Sequence, residues 1–200
     1  MEMSTTPLRE QLAGRPDERR PGPLEAFLGA RRRFQEGERI DMTALATELG
    51  VNRVTLYRWV GSREQLIVEV VWSLARRTLA GIDHDVPRAG GPERIVRVLD
   101  RFLHATLAHH GMQRFLAEEG EYAMKLLTRH QTDFQPRLIA AVEALLEREE
   151  ADGRLALGRD RHEIAYGLVR VIESYTYLDL ITGERPEAGR ARPIFARLVR

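Results

Sequence analysis

The sequence predicts an all-α protein with a small N-terminal head and a larger C-terminal helical body. From Pro23 onward, valine and isoleucine never alternate with polar residues over the length of a strand. Apolar residues recur instead every three to four positions, as they do on one face of a helix. Capping residues, glycines and prolines divide this pattern into segments of ordinary helix length.

The composition narrows the class of protein further. The chain has 200 residues, 43% of them apolar, which is enough for a small domain joined to a larger one. Its net charge is only +1, so any contact with nucleic acid must depend on a local basic patch. The absence of cysteine excludes disulfides, thiol catalysis and cysteine-ligated zinc. No apolar run is long enough to cross a bilayer and no signal peptide precedes the helices, so we expect a soluble, cytoplasmic protein without a membrane partner.

The N-terminal elements follow in order. Residues 1–22 lack apolar periodicity and predict a flexible tail, whose arginines either contact DNA or are simply solvated. The head, 23–66, contains helices at 23–36, 42–48 and 53–60, and a fourth helix begins at Ser62 with a capping box completed by Gln65. Asp41 and Asn52 are in position to cap the second and third helices.

The second and third helices together predict a helix-turn-helix. They are short, and the turn between them contains Gly50, which adopts a positive φ at little cost. In this motif the second helix enters the major groove of DNA. Leu56 and Val60 face inward on that helix, so its basic and aromatic residues face outward.

The body, 67–200, continues helical to the end of the chain. The fourth helix carries Leu66, Val70 and Leu74 at four-residue spacing, and a break with three glycines and a proline follows at 81–91. Proline at position 193 must start or kink the last helix. The further helices are predicted at 92–110, 112–129 with an interruption near Gly120, 134–150 and 161–182, with a final packed segment at 186–200.

Residues 45–66, LATELGVNRVTLYRWVGSREQL, resemble the signature of the TetR family. The resemblance implies a dimer with a three-helix DNA-binding head and an effector-binding, dimerising body. Its partners would be a double-stranded DNA operator and a small effector. Trp59 and Val60 depart from the usual residues, and Trp59 is either core packing or a groove contact. By position, the resemblance and the capping pattern mark these DNA-binding residues: Thr43, Asn52, Arg53, Val54, Thr55, Tyr57, Arg58, Trp59 and Arg63.

Residues 57–63 and 169–186 resemble one branch of this family, the QsdR-type regulators of γ-lactone and quorum-signal catabolism. That resemblance implies an effector that is apolar and acyl- or lactone-like. The aromatic and Met residues of the body either line its pocket or form plain core. The predicted effector-binding residues are Phe102, Met112, Phe115, Tyr122, Phe134, Tyr166, Arg170, Glu173 and Tyr177.

Helix 161–182 is apolar on two faces, which predicts burial on two sides. Ile164, Leu168, Val171 and Tyr175 form one stripe, and we predict that this stripe forms the dimer interface together with Phe195 and Leu198. Glu173 lies on the other, apolar stripe, where a carboxylate must be paired, hydrogen-bonded or neutral. It either pairs structurally with Arg170 or anchors the polar head of an effector.

No motif supports a different class of protein. The sequence has no phosphate-binding glycine loop, no nucleophile elbow and no histidine spacing typical of a metal site, so we expect no enzyme activity, cofactor or metal. The favoured hypothesis is a repressor that a small apolar effector releases from a palindromic operator. The alternative is a DNA-binding regulator or interaction module without an effector. Arg31, Arg32 and Arg33 are either a DNA patch or a solvated face balanced by nearby carboxylates.

Overall fold

The computed structural model describes residues 21–87 and 90–200, and within them it contains ten α-helices and no β-strand. The all-α prediction is therefore confirmed. The described chain divides into two compact units, one ending at Trp72 and the other beginning at Ser73. The predicted tail, 1–22, lies outside the described residues except for its last two positions.

The first unit contains α1 (Pro23–Gln35), α2 (Met42–Glu48), α3 (Arg53–Val60) and the start of α4 (Arg63–Asp85). Each helix begins within one residue of its predicted start. The ends of α1, α2 and α3 also lie within one residue of their predicted positions, because caps and turns mark them in the sequence. Its core consists of side chains that expose 4% or less of their surface: Phe27, Ala30, Phe34, Ile40, Leu45, Leu56, Val60 and Leu66.

Gly29 permits the close approach of α1 to α2, and no pattern in the sequence marks this position. A Cβ atom at position 29 would lie 3.0 Å from Cδ1 of Leu45. That distance is shorter than carbon atoms normally keep, so an alanine there would force the Leu45 side chain to shift. The small residue Ala46 of α2 is also buried.

The second unit contains the remainder of α4 and six further helices. They pack around a continuous apolar core, with the most extensive packing between the long antiparallel neighbours α7 and α8. Three short 3₁₀ turns connect the later helices. The six helices are α5 (Gly91–Ala108), α6 (His110–Thr128), α7 (Phe134–Ala151), α8 (Arg161–Thr176), α9 (Leu178–Thr182) and α10 (Arg192–Leu198).

Two helices of this unit are interrupted. The backbone of α6 leaves helical geometry at Glu119, beside the predicted interruption at Gly120. The predicted helix 161–182 is wrong in extent, because α8 ends at Thr176 and α9 starts after Tyr177. No glycine or proline marks that second break, and apolar residues continue across it, so the sequence pattern carries no signal for it. The two breaks lie close together, since a Cβ atom on Gly120 would come within 3.0 Å of Leu180.

A buried ionic network joins α4, α5 and α7 within the second unit. The Arg94 guanidinium donates to Glu149 at 3.0 Å and to the Asp83 carboxylate at 2.6 Å. Arg94 and Glu149 expose only 3% and 2% of their side chains. Arg148 also donates to Asp83, and Arg154 donates to the second oxygen of Glu149. Every charge in this network has an opposite partner, as burial of ions requires.

Candidate functional site

The turn between α2 and α3 has the geometry of a helix-turn-helix. Gly50 has φ +65°, and a Cβ atom there would have no neighbour within 4 Å. Glycine is therefore favoured at this position by its backbone conformation and not by crowding. The Val51 amide donates to the Ala46 carbonyl at 3.0 Å, which closes the turn and fixes where α3 begins.

Side chains predicted as caps hold the start of both helices. The Asp41 carboxylate accepts from the amides of Thr43 and Ala44, each at 2.8 Å. These two hydrogen bonds, led by that of Ala44, lower the pKa of Asp41 below its ordinary value. The Asn52 side-chain oxygen accepts from the Thr55 amide at 2.8 Å. The roles of Asp41 and Asn52 as caps are thus confirmed.

The outer face of α3 is basic and aromatic. Arg53, Val54, Tyr57 and Arg58 are all exposed, and Val54 exposes 78% of its surface. The Arg53 guanidinium lies over the Tyr57 ring, 5.9 Å from its centroid. This contact orients both side chains on the same solvent-facing surface. The outer face of α3 therefore presents two guanidinium groups, an aromatic ring and an apolar side chain to solvent.

The remaining predicted DNA-binding residues are less uniform. Thr43 is exposed at the start of α2, while Thr55 and Trp59 are half-buried. Arg63 is half-buried, and its Nε donates to the Ile40 carbonyl at 2.8 Å. Arg63 therefore already has a structural task in the first unit, joining the start of α4 to the segment before α2.

Arg32 and Arg33 are occupied by contacts within the head. Both donate to the Glu48 carboxylate, at 2.9 and 2.7 Å. The hydrogen bond from Arg33 is the main cause that lowers the pKa of Glu48 below its ordinary value. This arrangement fits the solvated-face interpretation of these two arginines better than the DNA-patch interpretation.

The second unit has a half-open cleft of about 260 Å³ between α6 and the α8–α9 corner. Three of the nine predicted effector residues line it, namely Arg170, Glu173 and Tyr177. The other lining residues carry no signal in the sequence, because their proximity depends on how α6 and α8 are arranged in the fold. Those residues are Met124, Lys125, Thr128, Ser174 and Ile181.

The Arg170 guanidinium contacts three neighbouring side chains. It forms an ion pair with Glu173, and the Gln135 amide oxygen, in the orientation that faces the guanidinium, accepts from Nη1 at 3.0 Å. Its guanidinium also lies 5.6 Å from the centroid of the Tyr166 ring. The predicted Arg170–Glu173 pair is therefore present, and both of its members line the cleft. The pKa of the neighbouring Tyr177 hydroxyl is raised by burial, so this hydroxyl stays protonated and can donate a hydrogen bond.

The other predicted effector residues do not meet in this cleft. Tyr166 is 43% exposed, Tyr122 is half-buried, and Phe102 is among the residues packed in the interior. The Phe115 and Tyr122 rings contact each other edge to face at 6.3 Å. Their placement is that of core packing, with these residues buried below 9% exposure: Phe102, Met112, Phe115 and Phe134.

Comparison with known proteins was decisive for the family. Residues 90–200, more than half of the chain, match the family model of the tetracyclin repressor-like C-terminal domain. The chain belongs to the TetR family. The structure is also similar to that of QsdR, a TetR-family transcriptional repressor of R. erythropolis, with a TM-score of 0.81 and 25% identity. The match covers 88% of this chain and 93% of that one. A comparison with curated proteins found no significant match.

These findings together confirm the resemblance to the TetR family. Proteins of this family are DNA-binding transcription regulators and not enzymes, and they bind their operators as homodimers. Within residues 21–87 and 90–200, no group of three or more histidines and carboxylates is arranged to hold a metal ion. None of the helices in these ranges is long and apolar enough to span a membrane.

The stripe predicted as the TetR-family dimer interface is wrong at two of its positions. Leu168 and Phe195 are fully buried inside the protomer, each exposing 0% of its surface, so they cannot face a partner. The stripe was drawn on helical spacing, which shows that residues share a face but not which neighbour covers that face. Here α10 packs on α8 within the chain, and Leu198 lies beside Gly167.

Proposed function

We propose that this TetR-family chain is a transcriptional repressor that binds a palindromic operator as a homodimer and is released by a small effector. The observation that carries the proposal is the exposed face of α3, which presents Arg53, Val54, Tyr57 and Arg58 from a capped helix-turn-helix. Arginine recognises guanine bidentately in the major groove, and an exposed apolar side chain suits the methyl group of thymine.

The contacts divide into two kinds. Tyr57 and Thr43 are assigned to phosphates, which position the head without reading sequence. Arg53 and Arg58 are assigned to base edges. Residues 23–61 contain six basic and five acidic residues, so the general attraction of the head to DNA is weak and most of the affinity comes from specific contacts.

Fluorescence anisotropy with the promoter DNA and a scrambled duplex tests this assignment. Tyr57→Ala should weaken binding to both duplexes. Arg53→Ala and Arg58→Ala should each cost about 1–3 kcal/mol on the promoter and narrow its advantage over the scrambled duplex. Arg101→Ala, an exposed arginine of α5, is the control and should change neither affinity. If all three head variants keep the wild-type affinity for both duplexes, α3 is not the helix that binds DNA.

A palindromic operator has two-fold symmetry, so a protein that binds it is expected to do so as a two-fold dimer. Two recognition helices must lie about one DNA turn apart, roughly 34–36 Å, to bind adjacent major grooves. Tyr166 of α8 and Ile194 of α10 are exposed hydrophobic residues of the C-terminal unit, and we assign the interface to the helix faces that carry them.

A regulator without an effector is the second candidate. The positions of Phe102, Phe115 and Phe134 favour it, since these residues, which were expected to contact an acyl tail, are buried and do not line the described cleft. Mass spectrometry of small molecules that co-purify with the protein separates the two candidates. A ligand that is recovered, and that lowers operator affinity when added back, supports the repressor with an effector. Failure to recover one, together with operator binding that no small acid or lactone alters, supports the second candidate.

A further inference from the structure

We propose that the cleft between α6 and the α8–α9 corner binds a small monocarboxylate, with the ammonium of Lys125 holding its carboxylate. This inference rests on the proposed function, because it names the chemical class of the effector. Four observations carry it: the charge at Lys125, the occupied state of Arg170, the apolar side chains beside them, and the size of the cleft.

Lys125 brings a positive charge that nothing else in the cleft balances. It is the only lysine in the chain, and its side chain is exposed at the edge of the cleft. Among the described residues no carboxylate lies within ion-pair distance of its ammonium, not even Glu121 one turn earlier. The cleft therefore has a net charge of about +1, since Arg170 and Glu173 neutralise each other.

The occupied guanidinium of Arg170 argues for a carboxylate over a phosphate. A phosphate group carries close to two charges at neutral pH and is best held by the free fork of an arginine. The fork of Arg170 is already used by Glu173 and Gln135. One unbalanced ammonium matches one carboxylate, and it is the charge that selects the ligand, because the Thr128 and Ser174 hydroxyls already donate to backbone carbonyls.

The rest of the cleft suits a short hydrocarbon chain. Met124 and Ile181 line it, and Ile181 exposes 59% of its surface, which a bound alkyl group would cover. The volume of about 260 Å³ lies just below the range of roughly 300–1,000 Å³ that is usual for drug-sized ligands. A short-chain acid therefore fits, and a long acyl chain does not.

Calorimetry at fixed ionic strength tests the inference with sodium hexanoate and its neutral analogue hexanamide. Hexanoate should bind the wild-type protein about tenfold more tightly than hexanamide, because only the acid forms a charged hydrogen bond with Lys125. From butanoate to hexanoate the affinity should rise by roughly fourfold per methylene, and it should stop rising at octanoate when the cleft is full.

Lys125→Gln should lower hexanoate affinity about tenfold and leave hexanamide affinity unchanged. Arg129→Gln removes the same charge four positions later, outside the residues that line the cleft, and should bind hexanoate as the wild type does. Both positions are exposed, so neither variant should change the melting temperature. Equal binding of hexanoate and hexanamide, full hexanoate affinity in Lys125→Gln, or no binding of any probe would each overturn the inference.

Operator binding without ligand distinguishes this failure from failure of the proposed function. If anisotropy shows operator binding and calorimetry shows no preference for hexanoate over hexanamide, the proposed repressor function is supported and the proposed carboxylate site is wrong. If hexanoate binds through Lys125 but the protein does not bind its promoter, the carboxylate site is supported and the proposed repressor function is wrong.

Discussion

Two side chains of different charge cap the helices of the DNA-binding motif, and they respond differently to pH. Asp41 caps α2 as an anion, while Asn52 caps α3 as a neutral amide. A carboxylate at a helix N-terminus gains from the helix dipole as well as from its hydrogen bonds. Because folding lowers the pKa of Asp41, its charge contributes to stability above the ordinary value of 3.8.

Asp41→Asn should reduce the stability of the first unit by less than about 1 kcal/mol at neutral pH, since asparagine is also a good cap. The difference from the wild type should shrink as the pH falls from 3.8 through the lower folded pKa, where Asp41 itself becomes neutral. Asn52→Ala should cost about 1 kcal/mol at every pH. Both tryptophans, Trp59 and Trp72, lie in the first unit, so denaturant titrations followed by their fluorescence measure this directly. A difference for Asp41→Asn that persists at low pH would contradict the prediction.

Residues whose contacts are local could be predicted, and residues whose contacts are distant could not. Asp41, Asn52 and Ser62 bond to amides two or three positions away, so residue type and position determine their role. Lys125 and Arg170 are 45 positions apart in the sequence and line the same cleft only because of how α6 and α8 are arranged in the fold. Residue spacing within one helix carries no information on that packing.

Two helical glycines, Gly81 and Gly91, differ in whether their position has room for a side chain. Gly81 lies inside α4, where an added Cβ atom would have no neighbour within 4 Å. Gly91 begins α5 with φ +46°, and an added Cβ atom would lie 2.4 Å from the Arg154 carbonyl oxygen. The first glycine only weakens its helix, while the second permits α5 to start against the end of α7.

Gly81→Ala should stabilise the protein by roughly 0.5–1 kcal/mol, because alanine is the better helix former. Gly91→Ala should destabilise it by about 1–3 kcal/mol or more, since the strained φ and the clash with backbone add together. Thermal unfolding followed by circular dichroism shows whether each substitution raises or lowers the melting temperature. Equal effects of the two substitutions would mean that the start of α5 is not as crowded as described.

The network of Arg94, Glu149 and Asp83 holds three helices of the second unit together. Removing one partner of a buried ion pair leaves the other charge without compensation. Arg94→Met should therefore cost about 3–5 kcal/mol, and the double substitution Arg94→Met with Glu149→Leu should recover much of that loss. Arg114→Met, which breaks an exposed pair with Glu118, should cost less than about 0.5 kcal/mol. A double-mutant cycle by chemical denaturation measures the coupling, and a coupling near zero would contradict the prediction.

Over the whole molecule, the sequence predicted the class of fold and the order of its helices. The helix-turn-helix could be located because a contiguous stretch, 45–66, contains caps, turn and core positions together. The break after Thr176, the ionic network and the surface left exposed on α8 and α10 could not be located. Each depends on which elements pack together in the second unit, and helical periodicity is the same whether a face meets the chain itself or a partner.

Assembly provides the last prediction. Ile194→Arg places a charge on the surface that we assign to the dimer, so it should shift the protein towards monomers in light scattering. Leu28→Arg changes an exposed leucine of α1 and should leave the oligomeric state unaltered. A dimer that persists in Ile194→Arg at all accessible concentrations would place the interface elsewhere. Leu168→Glu is not a useful variant here, because Leu168 lies in the core and its loss would unfold the protomer.

The solitary lysine has a practical consequence. All other basic side chains of the protein, apart from histidine, are arginines, which do not react with amine-directed reagents under mild conditions. A dye ester therefore attaches to one side chain, Lys125, and otherwise only to the α-amino group. The same chemistry exposes the protein to a cellular modification: a single acetyl group on Lys125 would abolish the only lysine charge that the protein has.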